Sequence, residues 1–110
     1  MPHLERPEAY AKIKKNYPAL VSALDEVGKA VRGLGPIDEK HAHLIQLAAA
    51  ASARSQGAVH SHVRRALAAG ATADEIHHAI LLLTSTVGFP AVVAALCWAD
   101  DIVGSGDQAH

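Results

Sequence analysis

Eight histidines stand among 110 residues: His3, His41, His43, His60, His62, His77, His78 and His110. Six fall in close pairs, His41-Ala-His43, His60-Ser-His62 and His77-His78. Imidazole serves near neutral pH as a base, an acid or a metal ligand, so a cluster of them has obvious chemical uses. Spacing constrains those uses. Two residues along a helix is about 200° of rotation, so His41 and His43 point to opposite sides, as do His60 and His62. No His-Glu-x-x-His spacing is present to set two ligands on one face. A metal site therefore needs histidines from different helices or subunits. Solvated or hydrogen-bonded helix histidines account for the pattern more simply than a bound metal ion does.

The segments that carry these residues read as helices. From Pro7 to Arg32 a short helix and a longer one meet at Pro18. In the second, Leu20, Leu24, Val27 and Val31 form one apolar stripe, with Asp25, Glu26 and Lys29 on other faces. Gly33-Leu34-Gly35-Pro36 ends it. Asp38 is placed to cap a helix reaching about Arg54, whose run of small residues at Ala48 to Ala53 admits a close neighbour. A break near Gln56-Gly57 leads into a helix from Ala58 to Ala69, with Gly70 just past its end. Thr72-Ala-Asp-Glu75 is a capping box. It opens a helix bearing Ile76, Ile80, Leu83 and Val87 on one stripe. Gly88-Phe89-Pro90 then turns the chain into a last helix with Val92, Val93, Leu96 and Val103 as apolar positions. No strand-period segment or internal repeat is present. The expectation is an all-α bundle of about five to six helices in a single domain over residues 1–110, with an N-terminal helical extension at 7–33 and a short frayed tail at 104–110.

Composition agrees. Hydrophobic residues are 50% and charged residues 19% of the chain, enough burial to exclude general disorder. Aromatic residues are only 4%, and the alanine-rich apolar content suits close-packed helices. A core this thin gains stability from association, which points to a homo-oligomer. With 10 basic against 11 acidic residues, the formal charge of -1 gives no basic excess for nucleic acid or an anionic membrane. The Arg54, Arg64 and Arg65 group reads as a solvated helix face. The single cysteine, Cys97, cannot form an intrachain disulfide, suits a reducing cytoplasm, and reads as a small buried hydrophobe. Met1 to Arg6 has no apolar run of the secretory kind. The uncharged stretch from Ala79 to Ala99 is long enough to span a bilayer. Thr84-Ser-Thr86, Gly88 and Pro90 divide it, so it reads as two buried helices.

Taken together, Leu44-Ile-Gln-Leu-Ala48, Arg54-Ser-Gln-Gly-Ala-Val-His-Ser-His62, Ala66-Leu67, Gly70-Ala-Thr-Ala-Asp-Glu-Ile76 and Gly88-Phe-Pro90 resemble the carboxymuconolactone decarboxylase / alkylhydroperoxidase D-like (AhpD-like) family, over about residues 35–99. The order and spacing of the pieces carry the likeness. In the peroxidase branch the family motif is Cys-x-x-Cys-x-x-x-His, with a glutamate one helix earlier. The two thiols and the histidine then share a helix face, and the glutamate relays a proton. Laid on this chain, the cysteine positions hold Ser55 and Ala58, the histidine is His62, and the glutamate position holds His43. A second acidic position holds His78. Without the thiols no dithiol redox cycle is possible at this place. The decarboxylase branch also lacks the cysteine pair but often carries an acidic residue near the position of Ala58, so the family name does not specify a substrate here. The resemblance implies an AhpD-like bundle, assembled as a trimer or hexamer, with His43 and His62 approaching across two helices.

Three functions follow from that placement. The first is acid–base chemistry of the lyase or isomerase type on a small organic acid or lactone. His62 would be the principal base or acid, His43 its partner and Ser55 a hydrogen-bond donor. Two imidazoles in one pocket repel when both are charged, which leaves a neutral base near pH 7. The second is a divalent transition-metal site in which His43 and His62 are ligands, completed by His60, His41 or His78. The third is a non-catalytic ligand-binding or assembly protein.

Overall fold

The computed structural model describes residues 7–104 and is all-α over them. In chain order the elements are α1 (Pro7–Asn16), α2 (Pro18–Arg32), α3 (Glu39–Ser52), α4 (Gln56–Ala68), α5 (Ala73–Leu81) with a 3-10 turn at Leu82–Ser85, and α6 (Phe89–Val103). His3, His110 and the tail beyond Gly104 lie outside the described residues. Local signals place the ends. Asp38 accepts the His41 backbone N–H at 2.8 Å and starts α3. At α5 the Thr72 hydroxyl accepts from the Glu75 N–H at 3.1 Å, and the Glu75 carboxylate accepts from the Thr72 N–H at 2.9 Å. Gly88, at φ 116°, turns the chain into α6 in a conformation open to glycine.

Helices α3 to α6 enclose the core. Leu47, Val59, Val63, Ala66, Ile76, Ile80, Val92, Ala95 and Ala99 are fully or almost fully buried in it. The small side chains let the helices approach closely, and α3 and α4 pack most extensively of all. Their connection is tight. Ser55 N–H bonds the Ala50 carbonyl at 3.1 Å and Arg54 N–H bonds that of Ala51 at 3.1 Å, a Schellman motif with Arg54 left-handed at φ 58°. Ser55, the last residue of that motif, is also the N-cap of α4, its oxygen accepting from the Ala58 N–H at 3.4 Å. The break thus falls at Ala53 to Ser55, not at the expected Gln56-Gly57. Gln56 and Gly57 already belong to α4.

One stripe lies apart from the core, and one expectation needs correcting. The α2 stripe does not face a core: Leu20, Leu24, Val27 and Val31 are each about half exposed, and Val21 is the one buried residue of the helix. Periodicity marks one face as apolar without saying what covers it. Here α1 is the element that packs appreciably on α2. Cys97 is exposed, not buried. Helix α6 buries Ala91, Ala95, Ala99 and Ile102, and a residue two positions from Ala95 and Ala99 is turned about 200° away from that face. Among the described residues no helix is long and apolar enough to cross a membrane, and the Ala79 to Ala99 stretch is split between α5 and α6.

Candidate functional site

The α3–α4 hairpin brings two histidines together. His43 lies ten residues before Ala53 and His62 seven after Ser55, comparable distances from the turn on antiparallel helices. Their ring centroids are 5.7 Å apart with the planes tilted by 38°. His43 is 2% exposed, the only buried charged or polar residue of the described chain. Its opposite number His41 faces water and pairs with Asp38 at 2.7 Å, as the 200° separation requires. In both rings Nδ1 is buried without a hydrogen-bond partner, and so is Oε1 of Gln46, one turn beyond His43. A buried polar atom left unmatched costs free energy, and three such atoms fall on one turn of α3 and the facing ring of α4.

Both imidazoles are held neutral. Burial is the main reason the His62 pKa falls to about 4; the Arg65 guanidinium, the neighbouring His43 and Arg32 push the same way. For His43 burial again comes first, then Arg32 and Arg65, opposed by Glu39, whose Oε2 is 3.9 Å from Nε2. His43 opens onto a cleft of about 540 Å³ between α2, α3 and α4, which Arg32, Glu39 and Arg65 also line.

The other expected residues lie elsewhere. Ser55 caps α4 about 10 Å along the axis from His62. His60 Nε2 is 2.9 Å from Asp101, and His77 Nε2 is 2.8 Å from Asp100, so these two tie α4 and α5 to α6. His78 borders a separate apolar groove with His41, Leu44 and Leu83. Within one chain, no three His, Cys, Asp or Glu side chains among the described residues converge as a metal cage. Of the expected set, His43 and His62 meet; His60 and His78 do not join them.

Neither Arg32 nor Gln46 stands out in the sequence, and Arg65 reads there as part of a solvated helix face. A signal existed for two of them, since Arg65 is three residues from His62 and Gln46 three from His43, spacings that share a helix face. Arg32 had none, because its approach depends on how α2 folds back over the hairpin.

No curated protein and no solved structure matches the chain. The model of the carboxymuconolactone decarboxylase family matches residues 18–101, from the first residue of α2 almost to the end of α6, and the chain belongs to that family.

Proposed function

We propose that the protein is an acid–base enzyme of the lyase or isomerase type, acting on a small organic acid or lactone through His62 and His43. The observation that supports it is the pair of buried, unpartnered Nδ1 atoms on two touching rings. One neutral imidazole takes a proton from a substrate carbon, the electron pair shifts within the substrate, and the imidazolium returns the proton at a second carbon. Two charged rings this close repel, so one proton at a time resides on the pair. The reading rests on the imidazoles and not on Ser55, whose oxygen caps α4. A dithiol peroxidase cycle has no place here, since the single cysteine lies on α6.

The test is a screen of lactones and small carboxylic acids with untagged protein, followed by His62→Ala. General acid–base groups contribute about 10²- to 10⁴-fold, and a loss of kcat in that range is expected, unchanged by chelator. The free-enzyme profile of kcat/KM should stay flat from pH 8 to 6 and fall toward the His62 pKa of about 4, because the base must be neutral. Near-stoichiometric metal in the purified protein, with turnover lost on chelation, would replace this reading by a metal site shared between subunits. Turnover untouched by His62→Ala would end it.

We also propose that copies of the chain assemble along α2. Its exposed ridge of Leu20, Leu24, Val27 and Val31 continues into the exposed Leu34 and Ile37, a contiguous apolar surface of the sort lone monomers seldom present.

A further inference from the structure

The His43 cleft has one feature the acid–base reading does not use. Arg32, from the last turn of α2, and Arg65, from the last turn of α4, line it together. No carboxylate of the described residues pairs with either guanidinium. Asp25, Glu26, Lys29 and Glu39 line the same cleft. Lys29 and Glu26 pair with each other at 3.5 Å in water, Glu39 stands 3.9 Å from His43, and Asp25 lies on the α2 side. The space for Arg32 is itself built in: its side chain folds back over Gly28, where a Cβ would lie 3.1 Å from Nη1. Glycine inside a helix is less favourable than alanine, and here an added methyl would press the guanidinium aside by a few tenths of an ångström.

We propose that Arg32 and Arg65 form a carboxylate seat beside His43, so that the site takes small organic acids as their anions rather than neutral lactones. The inference rests on the acid–base reading for what happens after binding, not for binding itself. A guanidinium presents a planar fork of N–H donors that matches a carboxylate, and two forks from different helices fix the anion's orientation. The cleft, at about 540 Å³, is of the size that holds a small molecule. An anion seated there also offsets the two cations that add to burial in lowering both imidazole pKa values, so binding raises the basicity of the ring beside it.

The experiment is equilibrium titration with benzoate, its neutral isostere benzamide, and inorganic phosphate. Benzoate should bind at least tenfold more tightly than benzamide and should move the imidazole resonances of His43 and His62. Its affinity should fall at least tenfold in Arg32→Gln and in Arg65→Gln. Gly28→Ala keeps every charge and favours the helix, so a weakening there reports the displaced Arg32 and not unfolding. Equal binding of benzoate and benzamide, absence of benzoate binding, or an affinity unmoved by both arginine variants would overturn the seat. Phosphate binding tighter than benzoate would overturn the carboxylate assignment. No turnover is required, so a seat that binds benzoate through its arginines while no substrate reacts would end the acid–base reading alone, and turnover without the seat would do the reverse.

Discussion

His62 shows how one residue's surroundings become a property of the whole protein. Its folded pKa of about 4 is below the ordinary histidine value of 6.5, so between those values the unfolded chain binds more protons than the folded one. Stability is therefore full above about pH 6.5 and declines as pH falls toward 4. One proton's difference is worth up to about 1.4 kcal/mol per pH unit, and partial exposure of the ring reduces it. Urea midpoints measured from pH 7.5 to 4.5 should fall accordingly, and His62→Gln should flatten the decline. An identical slope in that variant would place the acid sensitivity elsewhere. Much at this scale was legible in the sequence. The 200° rule separated His43 from His41 and His62 from His60, and the family motif paired His43 with His62. Arg32 was not legible, because a side chain reaching in from a neighbouring helix leaves no spacing to read.

At the scale of elements, the ends set by capping residues were read correctly: Asp38 and the Thr72–Glu75 box cap through side chains, and Gly70 follows α4 at φ 103°. The α3–α4 turn was misplaced by a few residues for a physical reason. Its left-handed position is filled by Arg54 and not by glycine, so the usual marker of a helix end is missing. Holding a side chain in that conformation costs about 1 kcal/mol. Arg54→Gly should therefore raise the melting temperature, with a gain of up to about 1 kcal/mol less the extra flexibility glycine gives the unfolded chain. A fall would mean that the arginine side chain itself holds the hairpin. The same turn fixes the register of His43 against His62, and the Lys40–Glu75 ion pair at 3.0 Å holds the first turn of α3 to the start of α5.

For the molecule as a whole, α2 is the anomaly. It belongs to the stretch that the family model matches, yet in one chain only α1 packs substantially against it. The periodicity that marked its stripe was sound, but a lone sequence cannot show whether a stripe meets its own core or another subunit. If copies meet there, Leu24→Glu with Val27→Glu should convert the assembly to monomers by light scattering while the helical content of α3 to α6 persists. An unchanged mass would put the contact on another surface.

Helix α2 also ends in Arg32, so the element that offers the outer ridge delivers one wall of the cleft. Its few contacts with the four-helix core leave the arginine's position weakly held by the chain's own packing. A neighbouring copy on the ridge would steady it. Dilution would then act as a throttle on the site: below the concentration at which copies separate, each subunit should take up benzoate less well, with every residue of the cleft still in place.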